Sequence, residues 1–259
     1  MAVPLVLHPA VRERREARMS ATALAEYLIL QPDGQETILH DSRFSRPPIV
    51  TANGDAMRAL RAYNCDPRRD TIALDRVKEA LNQRAAGWDV KPKTRDEALR
   101  CIESIDLFLR HENAFGMRAM ALSQPSQFDA IDIEGVLVSV RPDFLVSGGR
   151  DRIGAGLLRV AKAPDPDGCK LDETKRRRGE HRREMARYMV ALLQMLLEAQ
   201  NGKMGVPDRD LCFVADVRLG ERIGPATDHA IRLRSIRGAC RQIAKLWPTI
   251  TPRPGVLRK

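Results

Sequence analysis

Aromatic residues are scarce in this chain of 259 residues: Phe, Trp and Tyr together make up 4% of it. A base-stacking platform of the single-strand-binding kind needs several exposed rings, so that class is poorly supported. The 5 cysteines, at 65, 101, 169, 212 and 240, are scattered and form no CxxC pair. Neither a structural zinc site nor an iron–sulfur cluster is therefore expected. An odd set of isolated thiols fits a reducing cytoplasm. No apolar run reaches the roughly eighteen residues that a spanning helix needs, so no membrane association is expected. The opening stretch MAVPLVLHPAVRERREARM places its apolar patch before its charges, the reverse of a secretory signal. GxSxG, HExxH and a P-loop are all missing, as are internal repeats and low-complexity tracts.

What the chain has in excess is positive charge. Lysine and arginine total 44 against 34 acidic residues, a net charge of +10. An excess of this size favours a polyanionic partner, above all DNA, with other proteins of a nucleic-acid-processing complex as further candidates. Hydrophobic residues at 43% and charged residues at 30% describe a globular chain long enough for a sizeable core.

Periodicity predicts a helix over 20–31, with Ser20 as N-cap. The PDG, RPP and NG signals of 32–54 read as loop. Short amphipathic helices follow at 55–64 and 71–86, and a longer one from Thr94 to about Leu122. Residues 130–147 read as two strands around a Glu134-Gly135 turn, and SGGRDR as a second turn. Residues 153–162 make a third strand. After the APDPDG stop come a long helix to about Gln200, a strand at 211–219 and a last helix at 228–246. Three strands in series suggest a meander, and the long helix a crossover. Together they give an α/β sheet of mixed direction with helices on both faces. The predicted organisation is a helical N-terminal portion at 1–93, a core at 94–247 and a loose tail at 248–259. Gly148-Gly149 and Gly154-x-Gly156 precede no helix, so they read as turn and close-packing glycines.

The chemistry concentrates between residues 130 and 188. Hydrolysis of a phosphodiester with a magnesium-type ion needs hard oxygen ligands on rigid elements, and a nearby lysine to orient water or stabilise charge. Asp143, in a Pro-Asp pair, and Lys162 end neighbouring predicted strands and can face one region.

This segment resembles the PD-(D/E)xK nuclease superfamily, and within it the RecB-like and CRISPR-associated exonuclease branch. The resemblance rests on Pro142-Asp143, Val160-Ala161-Lys162 and Glu184-Met-Ala-Arg-Tyr188, in that order. It rests also on His111-Glu112 in the preceding helix and on the opening MSATALAEYLILQ. It implies a restriction-endonuclease-like αβββαβ core and a DNA-cleaving activity dependent on Mg²⁺ or Mn²⁺. Asp143 would bind metal, with His111 or Glu112 as additional ligands. Lys162 would act on the water or the transition state, and Tyr188 would support the site.

Two positions depart from that pattern. Val160 stands where the strand acid belongs, and Glu184 replaces a glutamine. Glu184 and Tyr188 are four apart on one helix face, so Glu184 is a candidate replacement ligand. The alternative is a catalytically inactive protein of the same fold, used for nucleic-acid binding or assembly. The basic run Lys175, Arg176, Arg177, Arg178, Arg182, Arg183 and Arg187 suggests a strip that tracks phosphates.

Overall fold

The computed structural model describes residues 7–45, 53–161 and 163–257. In chain order the first elements are β1 (Arg12–Glu13), β2 (Arg18–Ser20), α1 (Ala21–Ile29), α2 (Pro32–Arg43) and β3 (Phe44–Ser45). Next come α3 (Gly54–Cys65), α4 (Thr71–Ala86), α5 (Pro92–Phe115) and β4 (Ala121–Ser123). Four more strands follow: β5 (Ile131–Ile133), β6 (Val136–Ser139), β7 (Phe144–Ser147) and β8 (Arg152–Arg159). The chain ends with α6 (Asp172–Ala199), β9 (Val206–Pro207), β10 (Phe213–Asp216), β11 (Glu221–Ile223) and α7 (His229–Leu246). No helix among the described residues is long and apolar enough to cross a membrane. The contacts group into two compact units, residues 1–50, 128–141 and 227–259 in one, and 51–127 and 142–226 in the other.

In the first unit β6 lies between β2, which runs parallel to it, and β5, which runs antiparallel. The β5–β6 hairpin turns through Glu134 and Gly135, both at positive φ, the signature of a two-residue type I′ turn. Ser20 caps α1 by accepting a hydrogen bond from the Ala23 N–H at 3.1 Å. Residues 32–43, predicted as loop, are helical. Pro32 occupies the first helical position, where its missing N–H costs nothing, so it begins α2 instead of breaking it. The tail beyond 248, expected to be loose, is docked within this unit over its described part, residues 249–257. Val256 packs with Val11 and Phe44, and its carbonyl accepts the His8 N–H at 2.9 Å.

The second unit is built on the sheet β11-β10-β8-β7-β4, with β9 pairing the start of β8. The pairs β4–β7 and β7–β8 are antiparallel, and β8–β10 is parallel across the α6 crossover. Side chains alternate along each strand. One face carries Phe144, Val146, Leu158, Val160, Phe213 and Ala215, which pack with apolar residues of α3, α4 and α5. The other face carries Arg159 and Asp216, which meet Arg182 of α6. The unit is therefore a mixed α/β sheet with helices on both faces.

Two boundaries differ from the sequence reading. The strand predicted after the hairpin is two strands, β6 and β7, in different sheets. Val140, Pro142 and Asp143 are all buried between them, so burial runs on while pairing stops. The helix expected to reach Leu122 ends at Phe115, because Gly116 adopts φ +60° as its C-cap and β4 follows. By contacts, helices α3 and α4 group with the sheet of the second unit, and the hairpin and α7 with the N-terminal segment.

Gly154 is the close-packing glycine its sequence context suggested. A Cβ there would lie 2.3 Å from Leu211 Cβ and 2.4 Å from the Leu211 carbonyl oxygen. Gly154→Ala is expected to cost about 1–3 kcal/mol through overpacking. The readout is a lower denaturant midpoint at unchanged slope. An unchanged midpoint would mean that the backbone at Leu211 gives way freely.

Candidate functional site

Asp143 is a buried acid of the second unit, 1% exposed at the entry to β7. Its own N–H donates to the Gly156 carbonyl at 2.8 Å, which fixes it against β8. Its carboxylate accepts the Leu158 N–H at 2.6 Å on one oxygen. The other oxygen accepts from Arg61 Nε of α3 at 2.6 Å, and Arg61 Nη2 closes on the same oxygen. Burial pushes the Asp143 carboxyl above its usual range, and the Leu158 N–H and Arg61 offset that only in part.

Val160, where the resembled pattern has an acid, is 6% exposed and belongs to the apolar cluster beneath α3, α4 and α5. Its position is occupied by core packing. Lys162 lies outside the described residues.

The other proposed ligands have their own partners. Glu112 accepts from the Tyr63 hydroxyl at 2.7 Å and from Arg118 at 2.8 and 3.0 Å. Burial works to raise the Glu112 carboxyl, but these hydrogen bonds outweigh it and hold the group below the ordinary carboxylate range. His111, the preceding residue of α5, packs against Gly220, where a Cβ would fall 2.6 Å from the ring Nδ1. Glu184 is ion-paired with Arg187 on its own helix, and Arg187 also reaches Glu180 at 3.0 Å. Tyr188 is half-buried one turn further along α6.

Among the described residues, no three His, Cys, Asp or Glu side chains form a group that could hold a metal ion. Asp143, Glu184, His111 and Glu112 are thus not assembled into the expected cation site. Mg²⁺ and Mn²⁺ require several oxygen ligands around one point. Here the Asp143 carboxylate is spent on a guanidinium and a backbone amide, the equally buried Asp216 on Arg182, and position 160 is valine. As they stand, the described residues present no such ligand set.

The basic run divides by depth. Lys175, Arg176 and Arg177 are exposed and Arg178 is half-buried, with its Nη1 donating to the Asp165 carbonyl at 2.9 Å. Arg182 corrects the phosphate-strip expectation: it is fully buried. Its Nε and Nη2 grip both oxygens of Asp216 at 2.8 Å each. The same guanidinium donates to the carbonyls of Ala161 at 3.0 Å and Pro164 at 3.1 Å, so it ties the exit of β8 to the end of β10. Asp216 also accepts the N–H groups of Arg218 and Leu219 at 3.1 Å. Arg183 forms a two-pronged pair with Glu221 at 2.7 and 2.8 Å, which holds the Glu221 carboxyl below its usual range. Arg182, Arg183 and Arg187 therefore serve internal ion pairs.

A cleft of about 610 Å³ opens at the carboxyl ends of β8 and β10. Its polar lining is Glu103, Asp106, Asp165 and Asp167 against Arg110 and Arg218. Four carboxylates to two guanidiniums make this lining unfavourable for a phosphodiester.

Sequence reasoning missed Arg61, Arg159 and Asp216. Asp216 had a readable signal, as a lone acid inside the apolar strand LCFVADVRL. Arg61, on an exposed-looking helix face, had none. No family model, curated protein or solved structure matches this chain.

Proposed function

We propose that this chain is a nucleic-acid-binding protein built on a PD-(D/E)xK-like core in which the metal position has become a structural ion pair. The observation that carries the reading is the Arg61 guanidinium seated on Asp143, in the second unit. A guanidinium supplies there the positive charge that a hard cation would otherwise bring. Support for the core comes from element order: helix α5, the antiparallel strands β4, β7 and β8, helix α6, then β10 parallel to β8. Within the second unit this succession is compatible with the αβββαβ order implied by the resemblance, although the β5–β6 hairpin of the other unit intervenes between β4 and β7. Val160 in the apolar cluster speaks for a binding or assembly role over cleavage. The net charge of +10 and the exposed Lys175, Arg176 and Arg177 speak for a phosphate-bearing partner.

The test is incubation of linear duplex and single-stranded DNA with the protein, with Mg²⁺ and then with Mn²⁺. The expected result is no cleavage above that of Asp143→Ala, together with salt-sensitive retention of the DNA. Mn²⁺-dependent cleavage that disappears in Asp143→Ala would replace this reading with that of an active nuclease.

A further inference from the structure

The arginines of α6 are largely consumed by internal pairs, but those at the start of the first unit are not. Arg12 and Arg14 lie two apart on an extended segment whose ladder runs through Arg12↔Ser45 and Glu13↔Phe44. The Arg14 N–H continues it, donating to the Arg43 carbonyl at 2.9 Å. Alternate residues share a side, so Arg12 and Arg14 point one way, about 7 Å apart along the strand. Glu13 points the other way and is taken by Arg43 at 2.9 Å. Where the chain returns as β2, Arg18 joins the pair. Arg14 Nη1 donates to the Arg18 carbonyl at 3.5 Å, and Arg18 Nη2 donates to Ser139 Oγ at 3.4 Å. Arg12 and Arg18 are exposed and Arg14 is half-buried.

Among the described residues, no carboxylate pairs with any of the three. Burial above all, and then the charges of Arg18 and Arg12, hold the Arg14 guanidinium below its ordinary value. Like charges brought together by backbone pairing repel, and an anion placed among them relieves that repulsion. Guanidiniums are matched to phosphate oxygens in shape as well as charge.

We propose that Arg12, Arg14 and Arg18 form a phosphate-binding cluster that grips the backbone of a nucleic acid. This rests on the nucleic-acid reading above and assigns its main contact to the first unit. Nothing in the cluster reads bases, so binding is insensitive to sequence and strongly dependent on salt.

The experiment is fluorescence anisotropy of a labelled DNA duplex of arbitrary sequence, titrated with full-length protein over a range of salt concentrations. Replacing all three arginines with glutamine is expected to weaken binding about a hundredfold near physiological salt. It should also reduce the slope of log affinity against log salt by about 2 to 3. A control of equal charge change, Arg68, Arg76 and Arg100 to glutamine on exposed sites of the second unit, should retain most of the affinity and the full slope. Arg12→Gln alone, at an exposed side chain that forms no tertiary bond among the described residues, should weaken binding about fivefold. Equal losses in the triple variant and its control, or no loss in Arg12→Gln, would overturn the cluster while leaving the nucleic-acid reading intact. A wild-type protein that does not bind the duplex would overturn that reading itself. Binding to phosphatidylserine vesicles in place of duplex would assign the arginines to a lipid surface and overturn the proposal.

Discussion

Arg182→Met is expected to destabilise the second unit by about 3–5 kcal/mol, the cost of leaving a buried charge without its partner. Both side chains of the Arg182–Asp216 pair are fully shielded from water. Methionine fills much of the arginine stem's volume, so loss of packing is a minor part of the effect. What is lost is the bidentate pair, and with it the donors to the Ala161 and Pro164 carbonyls. Those carbonyls belong to the segment that leaves β8, so their release should loosen the exit of the strand beside the candidate site. Combining Arg182→Met with Asp216→Leu should recover part of the loss, because no unpaired carboxylate remains. Recovery is incomplete because Asp216 also accepts the Arg218 and Leu219 amides. The measurement is a double-mutant cycle by denaturant unfolding. A loss below about 1 kcal/mol for Arg182→Met would place the side chain in water, where such pairs contribute little.

Arg61→Ala should have the second-largest effect, and its size should depend on pH. Arg61 is 45% exposed, so its charge is partly screened and the expected loss near neutral pH is about 2 kcal/mol. The Asp143 carboxyl is raised in the folded state, chiefly by burial. A group that holds its proton more tightly folded than unfolded favours the fold while protonated. Its contribution falls as pH rises from the ordinary carboxylate range through the raised value. Removing Arg61 takes away one of the influences that lower it, so that decline should steepen and extend to higher pH. The variant should therefore approach wild-type stability in acid and diverge from it toward neutrality. Asp143→Asn should abolish this component of the pH dependence in both backgrounds. Parallel stability–pH curves for wild type and Arg61→Ala would show that the guanidinium does not act on the buried carboxyl.

The fold was legible where local signals agreed with burial. Helix α4 begins after Asp70, whose side chain accepts the Ile72 N–H, and ends before Gly87, and both ends can be read from residue type. The Glu134-Gly135 turn and the α6 crossover were equally open to reading. Pairing between distant segments was not. Val140, Pro142 and Asp143 continue the burial of β6 into β7, and nothing local says that the two strands join different sheets. The PDG signal at 32–34 looks like a loop because proline and glycine mark both loops and helix starts.

The candidate site divides along similar lines. Arg182 lies three residues before Met185 and seven before Met189, both buried, so helical spacing already placed it on the core stripe. Reading the basic run as a linear patch hid that phase. Asp143 was visible from its Pro-Asp context, but its partner Arg61 is 82 residues away, and no spacing rule connects them.

The central claim is that Asp143 is neutralised by Arg61 and holds no metal. A crystal grown with Mn²⁺ and analysed by anomalous diffraction tests it most directly. The expected map has no Mn²⁺ peak at Asp143, with the Arg61 guanidinium still on the carboxylate. A Mn²⁺ ion coordinated by Asp143, with Arg61 displaced and Glu184 or Glu112 drawn in as a further ligand, would contradict the claim and restore the metal-dependent nuclease.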